Sequence, residues 1–161
     1  MRIGMYGLNN LKADEFEAVM EYVKKKFRRY SIEFIEGITN EVATNTELKK
    51  YCTENEIKLE QIPARWDDLR GCKFPRTNKF GRPYNPNAAN RRDEEIINTV
   101  ASEKKGAMVI ITNSEDKYAA YNAWLCNNKN VLTLMLDADT GEWMTNKKRI
   151  DAQKNVASNV A

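Results

Sequence analysis

The run Ala107-Met108-Val109-Ile110-Ile111-Thr112 is the most restrictive stretch of this chain. A strand with one wet face alternates apolar and polar residues, but this one stays apolar to its last position. Both of its faces must therefore be covered, as in the centre of a parallel sheet. Parallel neighbours need long crossover connections, usually helices, so the rest of the chain has to alternate strand and helix.

The flanking sequence has that rhythm. Residues 2–7 form a short apolar run ending in Gly7, after which Phe16, Val19, Met20, Val23 and Phe27 recur at helical spacing. Asp14 and Glu15 fall in the first turn of that helix, and Lys24, Lys25 and Lys26 in its last, as the helix dipole favours. Ile32 to Ile35 is a second strand that stops at Glu36-Gly37. Leu48, Tyr51 and Cys52 mark a second helix, which Asn45 or Thr46 can cap. Ile57 to Ile62 is a third strand closed by Pro63, and a helix with Ile96, Ile97 and Val100 runs from about Asn90 to Val100. Ser114 is placed to cap a helix containing Ala119, Ala120, Ala123, Trp124 and Leu125, and Val131 to Leu136 supplies a last parallel strand. Asp137 to Gly141 has the composition of a turn, and the tail after Trp143 is expected to be loosely ordered. The expectation is an α/β fold, a Rossmann-like three-layer α/β/α domain over residues 1–143, with a mainly parallel sheet of about five strands and a tail over 144–161.

Composition narrows the chemistry. With 161 residues, 42% of them hydrophobic, the chain can bury a core without disulfide or metal staples. It contains no histidine, which excludes a Ser-His-Asp triad, a Cys-His pair and histidine metal sites. Cys52, Cys72 and Cys126 are odd in number and widely spaced, as idle thiols in a reducing compartment are. No metal site and no resident cofactor are expected. No stretch approaches membrane-spanning length and the start lacks a secretory pattern, so a cytoplasmic location is expected. The small, lysine-rich, histidine-free composition would suit a phage or other mobile-element protein. A net charge of +3 is too small to imply nucleic-acid binding by itself.

Local charge is another matter. All four prolines, Pro63, Pro75, Pro83 and Pro86, fall in the segment from Ile62 to Arg92. So do Arg65, Arg70, Lys73, Arg76, Lys79, Arg82, Arg91 and Arg92, opposed only by Asp67 and Asp68. A loop this long inside a compact domain is usually functional or disordered, and Trp66, Phe74, Phe80 and Tyr84 argue against disorder.

Ligands of open parallel sheets lie outside the C-terminal strand ends. Three loops reach such ends: Gly7-Leu8-Asn9-Asn10, Gly37-Ile38-Thr39-Asn40 and Thr112-Asn113-Ser114-Glu115. Their amides and hydroxyls suit phosphate, and Gly37 lets a backbone approach closely. One of Arg91 and Arg92 could fork onto a phosphate. Trp66 and Tyr84 could stack on a base or, equally, form the small core that holds the long loop down. Glu115, Glu36 and Asp93 are carboxylates placed near a bound ribose by this topology.

Four pieces in order make the chain resemble the YspA-like branch of the SLOG superfamily of Rossmann-like domains. They are Phe34-Ile35-Glu36-Gly37, Ile62-Pro63-Ala64-Arg65-Trp66-Asp67, Gly81, and Asn90-Arg91-Arg92-Asp93, and the likeness spans residues 2–136. The branch's double glycine after strand two is a single Gly37 here, and the glycine-rich phosphate loop of the related LOG phosphoribohydrolases is replaced by Thr112-Asn113-Ser114-Glu115-Asp116. The resemblance implies binding of a nucleotide or nucleotide-derived small molecule, NAD-related or a signalling nucleotide, and self-association into a homodimer or larger assembly. Two other readings stand beside it. One is an N-glycosidase or phosphoribohydrolase-like enzyme using Glu115 or Glu36. The other is RNA or single-stranded DNA gripped by the basic loop.

Overall fold

The computed structural model describes residues 1–39 and 45–160, with side chains described as far as Val156. Its main sheet contains β1 (Arg2–Tyr6), β2 (Glu33–Ile38), β3 (Leu59–Pro63), β6 (Gly106–Thr112), β7 (Leu132–Asp137) and β8 (Trp143–Thr145), in the order β3-β2-β1-β6-β7-β8. The first five are parallel, and β8 adds antiparallel to the outer edge of β7. The sheet thus has one strand more than the sequence suggests, and the fold is the expected Rossmann-like α/β/α sandwich.

β6 shows why both faces are covered. Ala107, Val109 and Ile111 turn into one core, which α1 (Ala13–Lys26) and α2 (Glu47–Glu54) cover with Phe16, Val19, Met20, Val23, Leu48 and Cys52. Met108 and Ile110 turn into the other, under α3 (Ala88–Ser102) and α4 (Ala119–Asn128), which bring Ile96, Ile97, Val100, Ala119, Leu125 and Cys126. Ile97 is fully buried, so Ile97→Ala would cost about 2–5 kcal/mol. The chain winds outward from β1 to β3 on one side and returns through β6 to β8 on the other. The switch point lies between β1 and β6.

Helix ends follow the sequence signals with one exception. Glu15 accepts the Lys12 amide at 3.1 Å at the start of α1, and Thr46 caps α2 by accepting the Lys49 amide at 3.1 Å. At α4 it is Asp116, not Ser114, that caps: its Oδ1 accepts the amides of Tyr118 at 3.0 Å and Ala119 at 3.1 Å.

The tail begins as β8 and continues as α5 (Lys147–Val160). Trp143 stacks on Tyr22, ring centroids 4.0 Å apart. Asn146 accepts the Thr133 amide at 2.8 Å and donates to the carbonyl of Val131 at 2.9 Å, and Ile150 is buried, so the first turn of α5 is tied to the sheet. Among the described residues no helix is long and apolar enough to cross a membrane.

The long loop over 63–92 carries its own hairpin, β4 (Arg76–Thr77) against β5 (Pro83–Tyr84). Its neck is latched. The Asn85 amide donates to the Trp66 carbonyl at 2.7 Å, and the buried Asn85 side chain donates to the Asp68 carbonyl at 3.3 Å.

Candidate functional site

A cleft of about 960 Å³ opens above the C-terminal ends of β1 and β2, beside the switch point. Its walls come from the ends of β1 and β2, the turn Leu8–Asn10, the start of α2, Trp66, and the first turn of α3 with Ala89 and Asn90.

The centre of the cleft is an ion pair built on a missing side chain. Arg92 donates from Nε and Nη2 to Asp93 Oδ1 at 3.1 and 3.0 Å, and from Nη1 to the Ile38 carbonyl at 2.8 Å. It can lie across β2 only because residue 37 is glycine: a Cβ there would stand 2.8 Å from the guanidinium carbon. Asp93 is buried, and burial pushes its carboxyl above the usual range, opposed by the charge and hydrogen bonds of Arg92 and by a hydrogen bond with Asn122.

A second polar group sits where β1 meets the α4 cap. Tyr6 donates its hydroxyl to Asp116 Oδ1 at 3.0 Å, and Asn10 Nδ2 donates to the Ile111 carbonyl at 3.2 Å and to Asp116 Oδ2 at 3.5 Å. Burial first, and then the Asp116 charge, holds the Tyr6 phenol well above its ordinary value, so it remains a proton-bearing donor. Gly7, between these residues, has φ 82° and packs against the Ile111 carbonyl, so a side chain there would be both strained and blocked.

The third group is Glu36, buried at the end of β2. Its Oε1 accepts from Gln61 Nε2 at 2.8 Å and from the Thr46 hydroxyl. The Cys52 thiol is pushed up to about 11, by burial first and by the charge of Glu36 second.

The residues singled out in the sequence divide sharply. Gly7, Asn9, Glu36, Gly37, Thr39, Trp66 and Arg92 line the cleft. Arg91, Asn113, Ser114 and Glu115 do not. Neighbours on a helix point about 100° apart, so with Arg92 turned inward Arg91 turns out, donating Nη1 to the Arg70 carbonyl at 2.8 Å. In the loop after β6, Asn113 Oδ1 accepts the Glu115 amide at 2.9 Å and the Ser114 amide donates to Asp139 at 3.0 Å, while Asp116 and Tyr118 are the loop residues that line the cleft. Asn40 lies outside the described residues.

Trp66 serves the loop as well as the cleft. Its Nε1 donates to the Thr39 carbonyl at 2.7 Å, and its ring meets Tyr84 edge-on with centroids 6.3 Å apart. Asn10, named with its loop, also lines the cleft, as do Tyr6, Thr46, Asp116 and Tyr118, to which sequence reasoning assigned no binding role.

Among the described residues, the charged lining is Glu36, Glu47, Asp93 and Asp116 against the guanidinium of Arg92, itself committed to Asp93. Such a surface accepts hydroxyl and amino hydrogens and disfavours a multiply charged anion at its floor. Among the described residues no group of three or more cysteine and carboxylate side chains is arranged to hold a metal. The chain matches no protein-family model and no curated protein.

Proposed function

We propose that this domain binds a nucleotide or nucleotide-derived small molecule in the cleft over β1 and β2, with the nucleoside end inward. The observation that carries this reading is the position of the cleft, at the C-terminal strand ends beside the switch point of a parallel sheet. Its volume, about 960 Å³, lies at the upper end of the usual range for small-molecule sites. Carboxylates at Glu36 and Asp93 suit ribose hydroxyls and amino groups, and the first turn of α3 at Ala89 and Asn90 suits a phosphate nearer the mouth. The likeness to the SLOG superfamily supports the same ligand class.

The test is a thermal-shift screen against adenosine, AMP, ADP-ribose, cyclic ADP-ribose, NAD, ATP and cyclic dinucleotides, each mixture also chromatographed for free base. A ligand at about 100 times its Kd should stabilise the fold by roughly 2.7 kcal/mol. Given the acidic floor, ATP is expected to shift the melting temperature less than AMP or ADP-ribose. No shift with any compound up to millimolar concentration would overturn the reading.

Cleavage at the N-glycosidic bond is the second reading, favoured by the burial of Glu36 within the cleft. Free base released by the native protein, with a Glu36→Gln variant that still binds but releases none, would establish it. Glu115 does not line the cleft.

A further inference from the structure

The hairpin of the long loop carries a repeated tetrapeptide that the cleft does not use. Lys73-Phe74-Pro75-Arg76 and Lys79-Phe80-Gly81-Arg82 both read Lys-Phe-x-Arg, six residues apart. Phe74 is 83% exposed and Phe80 78%, the two most exposed large apolar side chains among the described residues. Burial normally removes such rings from water, so two together on one small hairpin need an explanation.

Their presentation is built. Asn78 holds the tip: its Oδ1 accepts the amides of Phe80 at 2.9 Å and Arg82 at 3.0 Å, its carbonyl accepts the Gly81 amide at 3.0 Å, and its own amide donates to the Arg82 carbonyl at 2.9 Å. Gly81, at φ 78°, supplies the left-handed residue this turn requires. The Lys79 ammonium stands 5.1 Å from the Phe80 ring centroid. Lys73, Arg76, Lys79 and Arg82 are all exposed, and none has a carboxylate partner among the described residues. No acidic residue occurs between Asp68 and Asp93.

We propose that this hairpin docks single-stranded nucleic acid, with Phe74 and Phe80 stacking on bases while the four flanking cations neutralise phosphates. Single strands offer unpaired base faces, which any aromatic ring accepts, beside a phosphate chain that four unpaired cations complement. A bilayer fits less well, because Phe74 and Phe80 are separated in sequence by Arg76, Thr77, Asn78 and Lys79, without the run of apolar residues that a membrane-inserting face carries. The proposal is independent of what fills the cleft.

The experiment is fluorescence anisotropy of a labelled oligothymidylate of about 20 nucleotides, titrated with the full chain at salt from about 50 to 200 mM. With four phosphates neutralised, log K should fall with log salt at a slope of about −3. The pair Phe74→Ala/Phe80→Ala should weaken binding at least about 20-fold. The pair Lys73→Gln/Lys79→Gln should flatten the slope to about −1.4. All four side chains are exposed, so both variants should melt with the native protein, and that is measured alongside. No saturable binding at low salt overturns the proposal. So does binding that both variants retain unchanged, equal affinity for duplex DNA, or sedimentation with phosphatidylserine vesicles without any affinity for the oligonucleotide.

Discussion

Residues 63–92 supply two regions of opposite character. The ends of the segment turn inward: Trp66 lines the cleft and is bonded to Thr39, and Arg92 lies across Gly37 with its charge answered by Asp93. The middle turns outward as a hairpin whose four cations and two phenylalanines are exposed and whose cations have no carboxylate partner among the described residues. Eight basic residues in one stretch of sequence are therefore not one basic surface. Arg70 is forked onto Asp68 at 2.9 and 2.8 Å, Arg92 is paired inside the cleft, and the unanswered charge is concentrated on the hairpin. A charge run in sequence sets how many cations there are, whereas topology sets how many are available to a partner.

The sharpest way to break this contrast is to remove one cation from each region. Arg92→Ala leaves a buried carboxylate without its partner, and a loss of about 3–5 kcal/mol in urea-unfolding stability at neutral pH is expected. Arg76→Ala, on the exposed hairpin, should stay within about 0.5 kcal/mol of the native chain. Equal losses at the two positions would erase the distinction.

A smaller effect is read from pH. Burial raises the folded-state pKa of Asp93 above its unfolded value, so the folded chain holds that proton more tightly. The stability this confers is complete below the unfolded pKa and is lost as pH rises through the folded one. Asp93→Asn cannot ionise, and its unfolding free energy should lack that decline, a difference of at most about 1.4 kcal/mol per pH unit. Parallel stability curves for the two proteins between about pH 4 and 7 would mean that Asp93 is not held in the way its burial implies.

The smallest effect belongs to the hairpin rings. Phe74→Ala and Phe80→Ala should each change thermal unfolding by less than about 0.5 kcal/mol, because neither ring is packed in the fold.

The central architecture was readable because its signals are long and redundant. The apolar run at residues 107–111 required cover on both faces, and α1 announced itself through Phe16, Val19, Met20 and Val23 together with charges matched to its dipole. β8 was not readable, since three residues, Trp143 to Thr145, are too few to show alternation, and what fixes them is the distant ring of Tyr22. The cleft was half legible. Glycines at strand ends pointed to Gly7 and Gly37, which line the cleft, but adjacent Arg91 and Arg92 could not be told apart without the helical phase. Asp116 was missed because Ser114 is an equally good cap by type. The choice between them rests on which oxygen reaches the amides of Tyr118 and Ala119, a matter of loop path that composition does not encode.

The latch at the hairpin's neck has a consequence for engineering. Because Asn85 closes onto Trp66 and Asp68, and Arg91 reaches the Arg70 carbonyl, the chain leaves the body of the domain and returns to it through a stitched neck. Residues between that stitch and the tip then act as a cartridge, open to replacement by a longer finger, an epitope or a second module while the sheet and its helices continue to fold as before.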